Sequence, residues 1–183
     1  MTLWFATRAL GLVTLTLFST VMVLGLLTAG RRAPWRQPAF VITGLHRSLA
    51  LLSVVFLGLH IATSVLDDFV TIRWVDAVVP FGAAYRPFWL GLGATALDLI
   101  LALVITSLLR TRLGLRTWRA VHWLAYACWP IAVVHGAGIG TDTRLTLAFD
   151  AICCVAVAAA AAVRLSAVAR AGTYRQPITG GTR

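Results

Sequence analysis

The chain has no lysine, and charged residues of all kinds make up only 12% of its 183 positions. A soluble domain of this length needs a far more polar surface. The net charge of +10 comes from arginine alone. Those arginines sit in short segments between apolar runs, the pattern of basic cytoplasmic loops and not of a nucleic-acid-binding face. Cysteine is scarce: Cys128, Cys153 and Cys154 all lie within apolar runs. No CxxC or CxxCH occurs, which excludes a zinc knuckle and covalent haem attachment and leaves buried apolar thiols. No GxGxxG occurs either, so no dinucleotide-binding domain is expected in these residues.

What is abundant is apolar. Hydrophobic residues make up 60% of the chain and the mean hydropathy is +0.87. Five runs, at 3–29, 40–66, 88–109, 118–139 and 145–168, are each long enough to cross a bilayer as a helix. The first is too long for a signal-peptide core and has no small-residue cleavage site, so it is expected to remain as a helix. The alanine-rich stretch 156–162 suits a close-packed helix. The expected fold is therefore all-α: a five-helix transmembrane bundle over residues 1–170, with a short cytoplasmic tail at 171–183.

Arginine placement sets the orientation. Arg31, Arg32 and Arg36 flank the first two runs on one side. Arg110, Arg112, Arg116 and Arg119 lie on that side between the third and fourth, and Arg164, Arg170, Arg175 and Arg183 follow the fifth. The opposite side holds Asp67, Asp68, Asp76 and Asp142 with Arg73, Arg86 and Arg144. The N-terminus is expected outside and the C-terminus inside. The second and fourth runs then cross in parallel.

Those two runs hold every histidine in the chain. His46 and His60 are 14 positions apart, and His122 and His135 are 13 apart. At about 1.5 Å per residue each pair spans roughly 20 Å of a roughly 30 Å hydrocarbon core. Parallel crossing puts His46 level with His122 near the inner face and His60 level with His135 near the outer face. Histidine is an axial ligand of haem iron. Two depth-matched pairs predict two stacked b haems, and four histidines so matched are not explained by hydrogen bonding between helices. Rotation is less accommodating. Fourteen residues fall about 40° short of four turns, so His46 and His60 share a face, whereas thirteen leave His122 and His135 about 140° apart. Pro130 lies between them, and a helical proline removes a hydrogen bond and kinks the helix. It is the expected source of the needed distortion.

The runs HRSLALLSVVFLGLH (46–60) and HWLAYACWPIAVVHG (122–136) resemble the two histidine helices of the ferric reductase-like transmembrane domain. ATRALGLVTLTL (6–17) is similar to the first core helix of bacterial members, and GTDT (140–143) to the loop after the second histidine helix. The family includes NADPH oxidases, ferric reductases and the haem subunit of the bacterial methionine sulfoxide reductase system. The resemblance covers roughly residues 4–165. It implies ligation of an inner haem by His46 and His122 and of an outer haem by His60 and His135. Relatives with a flavin and nicotinamide domain continue past the bundle, and many have six helices; this sequence ends about 15 residues beyond its last run and shows five. It is expected to act as the haem core alone.

The expected function is electron transfer across a bacterial cytoplasmic membrane. The donor would be a cytoplasmic flavin reductase, reduced flavin or quinol, and the acceptor an external ferric chelate or redox protein. The alternatives are a haem subunit feeding a periplasmic reductase, and a haem-free transporter or assembly factor. Arg8, inside the first run, is a candidate partner for a haem propionate or a residue snorkelling to the outer surface. Arg47 is a second propionate candidate, though a positive-inside role serves it as well. Asp98, mid-helix in the third run, suits a structural bond better than a proton relay. The outer aspartates are expected in a solvated loop.

Overall fold

The computed structural model describes residues 2–28, 39–140 and 143–173. Among them every regular element is helical. The helices are α1 (Thr2–Thr28), α2 (Ala39–Val65), α3 (Trp74–Val78), α4 (Pro87–Leu108), α5 (Arg110–Leu113), α6 (Leu115–His122), α7 (Ala125–Ile139) and α8 (Thr143–Thr173). Arg31, Arg32, Arg36, Asp142, Arg175, Arg183 and most of the tail lie outside the described residues.

Four helices are long and apolar enough to cross a membrane: Leu3–Thr28, Phe40–Val65, Pro87–Leu108 and Arg144–Arg170. In lipid a helix satisfies its own backbone and turns apolar side chains outward. Phe40, Leu51, Val55 and Leu59 of α2 and Ile152, Val155 and Leu165 of α8 are exposed accordingly. The interior is built on α1, which packs against α2, α7 and α8. Its Leu15, Phe18, Val21, Met22 and Leu26 are buried. The partner helices bring small residues into the contact: Ala94 and Ala96 of α4, Cys128 of α7, Cys153 and Ala160 of α8. Small side chains let membrane helices approach closely. Polar links are few and internal. Trp129 Nε1 donates to buried Ser19 Oγ at 2.9 Å, joining α7 to α1, and the Cys128 thiol lies 3.4 Å from the Ala96 carbonyl, joining α7 to α4.

The expected fourth span, 118–139, is not one helix. It is α6 and α7, separated at Trp123 and Leu124. Alone, the 15 residues of α7 reach about 22 Å, short of the hydrocarbon core. Across the joint the amides of Leu124, Tyr126 and Ala127 bond three residues back, to Val121, Trp123 and Leu124. Such 3₁₀ bonds wind the chain about 20° further per residue than an α-helix does. Three of them recover about 60° of the roughly 140° that separates His122 from His135 on an ideal helix. The distortion thus lies in the turn before Pro130, whose missing N–H leaves the Tyr126 carbonyl without its helical donor. A second break, at Gly114, has φ +76°, a left-handed value that glycine adopts without strain, and it parts α5 from α6.

Candidate functional site

His46 of α2 and His122 of α6 come together, and His60 of α2 and His135 of α7 line one cavity. His46 and His122 have ring centroids 6.4 Å apart, with planes inclined by 60°. Two imidazoles on opposite sides of one metal ion have centroids about 6.3 Å apart, from two metal–nitrogen bonds of about 2.0–2.1 Å and two ring radii of about 1.1 Å. His60 and His135 line one cavity of about 290 Å³ and are close enough for their charges to interact. That volume is at the lower edge of a small-molecule or cofactor pocket. α2 has no extensive packing against α7.

Three of the rings are oriented in the same way. His60 Nδ1 donates to the Thr7 carbonyl at 2.8 Å, His46 Nδ1 to the Val21 carbonyl at 3.1 Å, and His135 Nδ1 to the Trp89 carbonyl at 2.7 Å. A carbonyl only accepts, so Nδ1 carries the proton and Nε2 keeps its lone pair. This is the state in which a histidine ligates a metal, with the second nitrogen anchored to backbone. Beside each anchoring carbonyl, four residues further along the same helix, stands a glycine that makes room for the ring. A Cβ on Gly11 would lie 3.1 Å from His60 Cε1, on Gly25 3.5 Å from His46 Cε1, and on Gly93 2.6 Å from His135 Cε1. On the α1–α2 pair the arrangement repeats after 14 residues. Thr7 and Gly11 serve His60; Val21 and Gly25, 14 positions later, serve His46, 14 positions earlier.

His122 departs from this pattern. Its Nδ1 is buried without a hydrogen-bond partner, and its ring stacks on Trp118 at 4.9 Å and 26°. Trp118 in turn lies under the exposed guanidinium of Arg110, 5.1 Å from the ring centre, and donates to Ser107. Arg110, Arg112, Arg116 and Arg119 are all exposed.

The charged candidates divide. Arg8 lines the cavity with His60 and His135, approaches Thr146 Oγ1 at 3.4 Å and lies over the Trp4 ring at 4.9 Å. Arg47 is exposed and is not among the cavity residues. Asp98 is half-buried in α4, also away from the cavity. The outer aspartates are not uniformly solvated. Asp76 is buried and takes three bonds from Arg73: Nη2 at 2.8 Å, Nε at 3.2 Å and the backbone N–H at 2.9 Å. The guanidinium and the backbone bond hold this carboxyl below the usual carboxylate range.

Two features of the cavity were not anticipated. Asp150 of α8 is 5% exposed, and both of its carboxylate oxygens are buried without a partner in the cavity wall. One aspartate in a long apolar run gives no sign of which way it faces, and the neighbouring Thr146 is equally unmarked. The glycine cradles, by contrast, carried a legible signal, since Gly11 and Gly25 repeat the histidine spacing of 14.

No group of three or more His, Cys, Asp or Glu side chains suited to a bare metal ion occurs among the described residues. A closed zinc site needs about four such ligands. Axial ligation of a haem needs two imidazoles, which each pair supplies, and the glycine cradles and anchored Nδ1 atoms fit that use. No family model matches the chain, and no curated protein or solved structure is significantly similar to it.

Proposed function

We propose that the chain is a di-haem b electron-transfer protein of the cytoplasmic membrane, as its resemblance to the ferric reductase-like domain implies. His46 and His122 would hold the inner haem and His60 and His135 the outer one, with α6 and α7 together forming the fifth crossing. The observation that carries this reading is the state of the rings: three histidines from α2 and α7 donate Nδ1–H to a backbone carbonyl and keep Nε2 free. Haem held by two histidines exchanges single electrons and has no open coordination position.

The protein's own contribution is positional. Val21, Thr7 and Trp89 fix ring orientation through their carbonyls, and Gly25, Gly11 and Gly93 let the rings lie against the helix backbone. The apolar walls of the cavity, including Leu12, Leu15, Phe18, Leu57, Leu97 and Ile100, exclude water. Arg8 would pair with a propionate at the outer end. Arg110, Arg112, Arg116 and Arg119 would attract an acidic or phosphate-bearing donor, such as reduced flavin, to the Trp118–His122 stack. An external ferric chelate or redox protein would take the electron.

The test is the haem-to-chain ratio of purified protein with a reduced-minus-oxidised spectrum. Two non-covalent, low-spin b haems per chain are expected, both extractable with acidified acetone. Haem that stays attached after extraction, or a protein with no Soret band, would overturn the reading.

A further inference from the structure

We propose that α3 is an interfacial helix: its outward face lies in the bilayer, at the boundary between lipid headgroups and acyl chains, and its inward face closes the cavity that holds His60 and His135. The inference goes beyond the di-haem reading and needs no haem.

The polarity of α3 is inverted for a helix in water. Residues 74–79 read WVDAVV. At about 100° per residue, Trp74, Val75, Val78 and Val79 fall within an arc of about 140°, with Asp76 and Ala77 outside it. All four residues of the arc are exposed. Asp76 is buried, and it lines the cavity together with Ala77. A helix at a protein–water surface does the reverse: it buries its apolar stripe and exposes its carboxylates. The inward charge is held by Arg73, whose Nη2 lies 2.8 Å from Asp76 Oδ1. A tryptophan and three valines gathered on one exposed face mark a surface that something apolar covers.

The depth of α3 identifies the cover. After α3 the chain turns back along α4. Phe81 has φ +64°, a left-handed value uncommon for an aromatic residue, and its ring lies where a side chain on Gly91 would stand. Gly91 is four residues inside α4, or about 6 Å below the start of that span. On the other side, Asp76 and Ala77 share the cavity with His60 and Ser64, in the last two turns of α2. The segment thus lies beside the ends of two membrane-spanning helices and does not rise clear of them. Exposed large apolar side chains also continue through the connection. Leu66 and Phe69 follow α2, and Phe88 opens α4. The environment that covers the exposed faces of α2 and α4 is lipid, and at this level it reaches α3. Tryptophan is favoured at that boundary because its ring is both apolar and a hydrogen-bond donor. The cavity is then closed by a lid that is itself seated in lipid, and a molecule entering there crosses the headgroup layer first.

Two measurements on the full chain in phospholipid nanodiscs test this. The first uses the native side chain. The difference in fluorescence between wild type and Trp74→Phe gives the emission of Trp74. Lipid brominated on the acyl chain near the headgroup should quench it strongly, and lipid brominated near the chain end should quench it less. Emission that neither lipid quenches would overturn the proposal. The second places a nitroxide at Val75→Cys or Val78→Cys in a chain carrying Cys154→Ser, since Cys128 and Cys153 are buried. Each label should collide more often with oxygen than with a water-soluble nickel chelate. Preference for the chelate would show that α3 faces water. Few collisions with either would show that a second copy or another protein covers the face. Each of those results would overturn the proposal, and neither depends on whether the protein binds haem.

Discussion

His46 and His122 lie with ring centroids 6.4 Å apart, beyond hydrogen-bond reach of one another, although one belongs to α2 and the other to α6. The separation lies within the range of packed aromatic rings, and it also matches two imidazoles on opposite sides of one metal ion, as the proposed haem site requires.

The pairing predicts how single variants behave. His60→Ala and His135→Ala should each remove the same spectral component, and His46→Ala and His122→Ala the other. Difference spectra with haem quantification check this. Loss of one component by both His46→Ala and His135→Ala would show that the pairs are wrongly drawn.

The glycine cradles predict a graded pair of variants. Gly93→Ala places a methyl group 2.6 Å from His135 Cε1, closer than a ring in a fixed position tolerates, and should abolish most of the outer component. Gly25→Ala meets His46 at 3.5 Å, an ordinary contact, and should leave the inner component nearly intact. Equal haem content in the two variants would mean that the glycines do not position the rings.

Pro130→Ala restores an N–H opposite the Tyr126 carbonyl and should relax the 3₁₀ turn before it. The separation of His122 from His135 about the helix axis would then grow back toward about 140°. The haem ratio should fall from two toward one per chain while helical content is kept. A ratio still at two would show that the turn forms without the proline.

Asp76 gives the α3 loop a pH dependence. Its carboxyl is held below its ordinary value, about 3.9, by the side chain and backbone of Arg73. A depressed folded value stabilises the loop above the unfolded value, and the stabilisation is lost as pH falls through the folded one. Protection factors at residues 67–87, which remove the intrinsic pH dependence of amide exchange, should fall below about pH 4. In Asp76→Asn, protection should already be low at pH 7 and change little with acid. Similar protection in both proteins at pH 7 would remove the bond from any such role.

The basic surface around Trp118 predicts salt sensitivity. Reduction by reduced flavin mononucleotide should slow several-fold as ionic strength rises, and the double variant Arg112→Gln, Arg116→Gln should lose most of that dependence. Stopped-flow haem absorbance reports both. A rate indifferent to salt would place electron entry elsewhere.

Much of the fold was legible because lipid makes hydrophobicity a simple signal. Four apolar runs became four candidate spans within two residues of their expected ends, although the last helix, α8, runs on to Thr173. The run at 118–139 was equally apolar, yet it breaks at Trp123 and Leu124, because a hydropathy window cannot register which amide bonds to which carbonyl. The histidine spacings pointed to the pairs. The carbonyls of Thr7, Val21 and Trp89 could not be read, since every residue but its side chain looks alike in a sequence. Asp150 carries no mark in the sequence for a related reason: its significance lies in the lack of a hydrogen-bond partner.

The repeat of 14 residues along α1 and α2 bears on biogenesis. These are the first two helices of the chain, and they form its most extensive helix–helix contact. Their hairpin carries Thr7, Gly11, Val21, Gly25, His46 and His60, half of each histidine pair and its anchors, before α4 or α7 has been synthesised. A register slip between the two helices would disturb both pairs at once. If the proposed haems are bound, their insertion would wait for α6, α7 and the cavity wall of α8 to arrive, late in translation.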